Sequence, residues 1–409
     1  MPADRGAPDR GPSDLGAVGR EGLRLLATCN YPSDVRPSLQ VFVRALLLEL
    51  RALGADVTVI APESIANLTK PVTGFRMAPR REDRDQLRIH RPRYVTLSKV
   101  PLPFGLHTSR WGTRSYVRAA LGVAEQLGGP YDVTYGHFLY PHGLAAAVLG
   151  RKLGVPAVAS LGESSFSRYD NVYEEREIGD LLARFTGVVA NSELIKDRCV
   201  QKYGLAADKV RVFPNGVNRE LFAPMDRRTA RHRCGLPPDR AIIISVGQLV
   251  ERKGPLRVMK AIESRPEIGA VFLGEGPQVP SGPQVLFSGV VPHEEVPIWL
   301  SAADLFVLPT LDEGCSNAIL EAMSCGLPIV SSDLPFNDGL LDEAVSLLVD
   351  PLDPSQLSTA VFTLLDDPGR REEMKAAALT SARHFRLSDR AQRVLAFLRE
   401  CADRGSVPR

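Results

Sequence analysis

The feature that most limits what this chain can become is a rhythm that runs twice. Short apolar runs alternate with amphipathic stretches from Leu23 to Phe213, stop, and resume at Ala241. The first series reads as strand Leu23–Thr28, helix Leu39–Leu53 stopped at Gly54, and strand Val57–Ala61 closed by Pro62. Strand Val133–Phe138, helix Gly143–Leu153, strands Ala157–Leu161 and Gly187–Ala190, helix Glu193–Tyr203 and strand Lys209–Phe213 follow. The second series opens with strand Ala241–Val246, helix Pro255–Glu263 and strands Ala270–Leu273 and Val285–Ser288. Helix Glu294–Ala303, strand Leu305–Leu308, helix Asn317–Cys325, strands Pro328–Ser332 and Val345–Val349, and helical stretches from Ser355 onward complete it. Strands separated by helices make parallel sheets with crossover connections. Continuous apolar strands predict that both faces of each sheet are covered.

The interruption is built from turn formers: Pro214-Asn215-Gly216, Pro224 and Pro237-Pro238. The chain has 409 residues, too many for one ordinary core, so the break is read as a domain junction. Two doubly wound α/β domains are expected, over 21–218 and 219–385. Residues 1–20, rich in Gly, Pro, Asp and Arg and without an apolar segment, read as a disordered tail and not a signal peptide. In open sheets of this kind ligands sit beyond the carboxyl ends of the strands. The chemistry is therefore sought in loops that follow strands.

Composition narrows the partners. A net charge of +2 gives no footing for nucleic acid. The six cysteines form no CxxC pair and no zinc-spaced cluster, which reads as reduced thiols in a cytoplasmic protein. No apolar run approaches the ~20 residues of a membrane span.

Two loops carry dense chemistry. In Leu308-Pro309-Thr310-Leu311-Asp312-Glu313-Gly314-Cys315-Ser316-Asn317 a strand ends, a loop crosses, and a helix begins near Ser316. A helix start offers unsatisfied N–H groups and the positive end of the dipole, and Gly314 lets an anion approach the backbone. Seven residues separate Glu313 from Glu321. Taken singly, these two glutamates also suit a dipole-favoured acid and a solvated helix residue. The other loop, Gly247-Gln248-Leu249-Val250-Glu251-Arg252-Lys253-Gly254, sets a basic pair between glycines at a strand end. A diphosphate leaving group needs such cations as its bridging oxygen gains charge; a solvated loop would carry them equally well.

Together these loops resemble a known family. Glu313 to Glu321, followed by Ala322-Met323 and Gly326-Leu327-Pro328, is similar to the E-x7-E motif of retaining glycosyltransferases of the GT-B fold. Gly247–Gly254 resembles the G-R-L-x-x-x-K-G loop of glycosyltransferase family 4. Asp132–His137, Pro214-Asn215-Gly216-Val217-Asn218, Gly274-Glu275-Gly276-Pro277 and Ala302-Ala303-Asp304 to Pro309 match further family motifs in order, so that the resemblance spans about residues 23–402.

The resemblance implies two Rossmann-like domains facing across a cleft, with the last helix, 386–402, crossing back to the first. It implies transfer of a sugar from a nucleoside-diphosphate sugar, UDP- or GDP-linked, to an acceptor hydroxyl with retention at the anomeric carbon. Glu313 and Lys253 are then the catalytic candidates. Gly247, Gln248, Arg252, Gly314, Cys315, Ser316, Asn317, Glu321 and Val291 would bind the donor, with Val290–His293 beside the base. Ser38, Leu39, His137, Gly162 and Glu163 would line the acceptor side, where Tyr31-Pro32-Ser33 to Val41 is the acceptor loop. The nucleotide sugar enters as substrate; no cofactor and no metal are expected. The acceptor is a glycan, a lipid-linked intermediate or a small natural product.

Two positions depart from the family. Gln248 stands where the loop arginine is usual and cannot make a charged fork to phosphate; Arg252 is expected to compensate. Gly162 stands where many members carry histidine. Arg76–Arg93 is Arg-rich but holds Glu82, Asp83 and Asp85, and with Pro101–Phe104 it reads as a solvated loop or as a peripheral membrane contact. His142 and His293 have ordinary structural readings. A phosphorylase or epimerase on this architecture, or a non-catalytic nucleotide-sugar binder, stays open. An NAD oxidoreductase lacks the G-x-G-x-x-G fingerprint after the first strand.

Overall fold

The computed structural model describes residues 22–65, 76–96, 108–162 and 167–405. The expected tail at 1–20, the segment Pro101–Phe104 and Glu163 lie outside the described residues.

Two sheets form. The first contains β1 (Arg24–Thr28) and β2 (Asp56–Ile60), with helix α1 (Val41–Ala52) between them. A two-residue strand, β3 (Glu63–Ser64), precedes the hairpin β4 (Arg81–Arg84) and β5 (Leu87–His90), and pairs with β6 (Arg93–Tyr94). Helix α2 (Thr108–Leu127), β7 (Val133–His137), α3 (Leu144–Leu153) and β8 (Ala157–Leu161) follow. Then come α4 (Ser167–Asp170), α5 (Glu175–Ala183), β9 (Gly187–Ala190), α6 (Glu193–Asp197) and β10 (Val210–Val212). The order across the sheet is β10-β9-β8-β7-β1-β2-β5-β4, parallel except for the β4–β5 hairpin.

The second sheet follows α7 (Arg227–Cys234). It alternates β11 (Ile242–Val246), α8 (Pro255–Ile262), β12 (Gly269–Leu273), β13 (Val285–Gly289), α9 (Val296–Ala302), β14 (Leu305–Leu308), α10 (Asn317–Ser324), β15 (Ile329–Ser332) and β16 (Ser346–Val349). Its order, β13-β12-β11-β14-β15-β16, is wholly parallel and reverses direction between β11 and β14. In the first sheet the reversal falls between β1 and β7. A doubly wound sheet opens a crevice at such a point. The loops after β11 and β14, and those after β1 and β7, are thereby the ones placed to hold ligands.

Helices α11 (Pro354–Asp366) and α12 (Pro368–Ser381) cover the second sheet; α13 (Leu387–Gly405) covers the first. Ala391, Val394, Leu395, Phe397, Leu398 and Cys401 of α13 are buried in one core with β1, α1 and β2. The chain thus crosses between domains twice. The two crossings pair with each other: Val217 N–H donates to Phe385 O at 2.8 Å, and Leu387 N–H to Val217 O at 3.1 Å.

Three elements differ from the sequence reading. Arg76–Arg93 is not a loop, because its centre is the β4–β5 hairpin. Several of its charges are tied down within the chain: Asp85 takes a two-pronged bond from Arg44 at 2.6 and 2.7 Å, Arg84 meets Asp34 at 2.8 Å, and Arg91 pairs with Glu82. Helix α2 is unforeseen, since Gly112, Gly122 and interleaved arginines blur its period. Its buried face, Gly112, Tyr116, Val117, Ala120 and Ala124, still has helical spacing. Helix α5 is short; its signals are the Glu174/Glu177 capping box and the helical spacing of Ile178, Leu181 and Leu182. Among the described residues no helix is long and apolar enough to cross a membrane, and the cysteines, all six of them described, form no disulfide.

Candidate active site

The loop after β11 is held down by close backbone approach. Gly247 N–H donates to Leu273 O and Leu249 N–H to Glu275 O, both at 2.9 Å. A Cβ on Gly274 would lie 1.8 Å from Gly247 O, and one on Gly276 2.2 Å from Leu249 O, so only glycine fits at either place. The loop ends in one short helical turn, Glu251–Lys253, which turns the Lys253 side chain back over Gly247. Gln248 faces solvent.

The loop after β14 meets it side on. Leu311 N–H donates to Arg252 O at 2.8 Å, and Arg252 returns a guanidinium bond to Asp312 O. Glu313, only 7% exposed, is the focus. Its Oε1 accepts from Lys253 Nζ, from Thr310 Oγ1 at 3.0 Å and from Arg252 at 3.3 Å. Two cations on one carboxylate leave a net positive charge beside the start of α10. There the backbone N–H groups of Gly314, Cys315 and Ser316 donate to no acceptor among the described residues. Ser316, at the N-cap of α10, has a buried hydroxyl with no partner among the described residues and makes no cap bond. Buried donors without acceptors are costly unless something else supplies them. The arrangement is that of an anion cradle.

Glu321 sits one turn further along α10, and its Oε1 lies 3.4 Å from His293 Nε2. The His293 ring packs edge-on against Phe222 at 5.2 Å, and Val291, half-buried, rests on the same core. His293, which has an ordinary structural reading in the sequence, is thus brought next to Glu321. Cys315 is buried, which pushes its thiol up to about 11, and its carbonyl accepts from Asn215 Nδ2 at 2.9 Å. Asn317 is half-buried at the first position of α10.

The facing wall belongs to the first sheet. Ser38, exposed, and Leu39 lie in the loop after β1. That loop and the ends of β2 and β5 enclose a small cavity of about 60 Å³ lined by Tyr31, Ser33, Arg36, Leu39, Glu63 and Arg91. Glu63, 4% exposed, is gripped by both Arg36 and Arg93, while Arg91 also donates to Pro32 O at 2.7 Å. A larger concavity, about 650 Å³, lies at the amino ends of β1 and β2 near Arg24 and Asp56, at the wrong end of the strands for this cleft.

His137 closes β7. It is 4% exposed, its Nδ1 lies 2.8 Å from Tyr135 Oη, and its ring packs against Phe42 and Phe138. Burial, with Arg390 adding to it, holds its pKa well below the usual histidine value, so the ring is neutral. His142 is buried against Tyr116, and burial pushes it down to about 3. Arg390 of α13, 4% exposed, stands between the domains, where its charge bears on Tyr135, His137 and Cys315. Sequence periodicity alone gives no sign of it.

Gly162, at the end of β8, is where the two walls touch: a Cβ on Gly314 would lie 2.7 Å from Gly162 O. Among the described residues no group of three His, Cys, Asp or Glu side chains is placed to hold a metal ion.

Two facing doubly wound domains, a return helix and an anion cradle on the second domain define the class: a GT-B glycosyltransferase. The fold is similar to sucrose-phosphate synthase from Thermosynechococcus elongatus, with a TM-score of 0.74 at 20% identity over 93% of this chain and 99% of that one. It is also similar to Anabaena HepE in complex with UDP and glucose, with a TM-score of 0.70 at 17% identity over 93% and 100%. Residues 39–221 match the model described as Glycosyltransferase Family 4 and residues 226–380 that of Glycosyl transferases group 1. TuaC of Bacillus subtilis, a glycosyltransferase provisionally assigned to teichuronic acid biosynthesis, is 30% identical over 355 residues, 82% of this chain and 87% of that protein. A D-inositol 3-phosphate glycosyltransferase of Catenulispora acidiphila is 29% identical over 313 residues, 68% and 74%. The chain belongs to glycosyltransferase family 4.

Proposed function

We propose that this glycosyltransferase takes its sugar from a nucleoside diphosphate held at the start of α10 and passes it, with retention, to a hydroxyl of an acceptor seated against the first domain. The observation that carries the reading is the cradle: N–H groups at Gly314–Ser316 and a Ser316 hydroxyl that have no partner among the described residues, with Lys253 and Arg252 alongside. In this reading a diphosphate oxygen draws Lys253 Nζ partly away from Glu313. That frees the carboxylate to accept hydroxyls of the sugar. Glu321 takes the ribose hydroxyls, with His293 beside it, and Val291 lies near the base.

No side chain is assigned as nucleophile. The acceptor oxygen bonds to the anomeric carbon on the face that the phosphate leaves, and the acceptor proton passes to the departing phosphate oxygen. Charge on that phosphate is met by the α10 amides and Lys253, preorganised and shielded from water when the domains close. No metal ion takes part; turnover undiminished by EDTA is the expected result.

UDP is the first nucleotide to test, because HepE is a structural neighbour that binds it. For the acceptor, the phosphorylated polyol in the name of the inositol relatives and the arginine-lined cavity at Leu39 both favour a polar, charged group. TuaC favours a surface glycan. Titration calorimetry against UDP, GDP, dTDP, ADP and NAD, repeated with Lys253→Ala and Glu321→Ala, tests the donor site. Binding of one nucleoside diphosphate, weakened about tenfold or more by each change, is expected. Binding of NAD, or of nothing by a folded protein, would sink it.

A further inference from the structure

Asn191 is absent from the family motifs that identify the donor site, yet it occupies the centre of the domain contact. It directly follows β9, and its backbone N–H donates to Leu161 O at 3.0 Å, which fixes it beside the end of β8. Its side chain fills the space next to Gly162: a Cβ on Gly162 would lie 2.6 Å from Asn191 Nδ2. Across the cleft, a Cβ on Gly314 would lie 3.0 Å from both Nδ2 and Oδ1 of the same amide. One side chain of the first domain therefore touches the residue after Glu313 in the second.

Asn191 is also unsatisfied. It is 3% exposed, and its Oδ1 is buried with no hydrogen-bond partner among the described residues. A buried amide oxygen left unpaired costs stability, and such a group in a native fold calls for a reason. Reorienting the amide to a protein donor is one remedy. The neighbouring surface offers another: Glu313 and the free amides at Gly314–Ser316 stand ready for a sugar diphosphate, and the transferred sugar is rich in hydroxyl donors.

Gly162 completes the case. With glycine there, nothing competes with Asn191 for this position. A larger residue at 162 would displace the amide, so the two positions are sterically exclusive. The pairing of Gly162 with Asn191 explains how this chain dispenses with a side chain at the end of β8.

We propose that Asn191 is a donor-sugar contact that sets specificity: its Oδ1 accepts a hydrogen bond from a hydroxyl of the sugar being transferred, in the place vacated at Gly162. The inference rests on the donor reading above. It assigns Asn191 to the sugar and not to the nucleotide, and that separates the two in experiment.

The full-length protein is titrated with UDP, UDP-glucose and UDP-N-acetylglucosamine, and with GDP and GDP-mannose. The wild type is expected to bind one sugar nucleotide more tightly than its parent diphosphate. Asn191→Leu, similar in volume but without an acceptor, should weaken that sugar nucleotide about tenfold while changing the parent diphosphate less than about twofold. Gly162→Ala, which leaves Asn191 in the chain but pushes its amide aside, should act in the same direction. The double variant should be no worse than the poorer single one, because both changes remove one contact.

An unchanged diphosphate affinity also certifies that each variant is folded; should Asn191→Leu fail to fold, Gly162→Ala carries the comparison. Equal losses for diphosphate and sugar nucleotide would overturn the proposal in favour of a purely structural role. No loss for either, or a wild type indifferent to the sugar, would overturn it as well. If the wild type binds no nucleotide at all, the donor reading falls first and takes this one with it.

Discussion

The two walls of the cleft are built from different materials. On the second domain, the groups ready for a ligand are mostly backbone: three consecutive N–H groups at the start of a helix, and a loop pressed onto Gly274 and Gly276. On the first domain they are side chains: Arg36, Glu63 and Arg91 round a small cavity, and His137 buried among aromatic rings. A diphosphate is the same in every donor, so a backbone cradle can serve it without reference to what else the substrate carries. An acceptor differs from enzyme to enzyme and must be met by groups that can be exchanged one at a time. On the proposed reading, chemistry resides on one wall and selectivity on the other.

The contrast breaks most directly at Lys253. Lys253→Ala is expected to lower kcat/KM about 10²–10³-fold in a steady-state assay, whatever acceptor is supplied. A loss confined to one acceptor would erase the division between the walls. The counterpart on the first domain is Arg36→Ala. It should raise the acceptor KM by about tenfold, as loss of a charged hydrogen bond does, with the donor Kd unchanged by calorimetry. A weakened donor would show that the cavity belongs to both substrates.

A third measurement concerns stability. His142 titrates near 6.5 when unfolded and at about 3 when folded. Between these values the unfolded chain binds the extra proton, so stability is complete above pH 6.5 and declines as the pH falls toward 3. His137, also depressed, adds in the same direction. Thermal midpoints should therefore drop on acidification, and the drop should be shallower in His142→Gln. An equal slope in that variant would place the acid-sensitive group elsewhere. The smallest effect is expected at Gln248→Arg, less than about threefold in nucleotide affinity. Gln248 is exposed, and Arg252 already brings a guanidinium to the Glu313 loop. A tenfold gain would mean that Arg252 is committed to Asp312 and Glu313 and does nothing for the phosphate.

The legibility of the chain follows the same division. Strands with continuous apolar runs, such as Ala157–Leu161 and Leu305–Leu308, appear in the structure with the bounds read from sequence. Two buried faces leave no ambiguity about which residues can sit there. The Glu313–Glu321 segment was legible because backbone recognition demands a fixed order of loop, glycine and helix start. The hairpin within Arg76–Arg93 was not, since its outer strand β4 is the sheet edge and charged at every position, and β5 is only four residues long. Helix α2 was hidden by Gly112, which a residue with a Cβ could not replace without meeting Thr96 Oγ1 at 2.7 Å. Asn191 and Arg390 were illegible for another reason. Each acts across a distance that only the folded chain closes, from β9 to the α10 loop and from α13 to β7.

The return of α13 has a consequence for how the protein is made. Phe397 and Cys401 fill the space beside Gly187, and a Cβ there would lie 2.6 Å from either of them. The first domain to leave the ribosome therefore lacks part of its own interior until Phe397 and Cys401 have been added, after all of the second domain. The second domain is completed just before them, by Ala378, Ala382 and Phe385. The interior of the first domain is thus closed by residues that follow the second domain in the chain, so the two domains are tied together in assembly as well as in space.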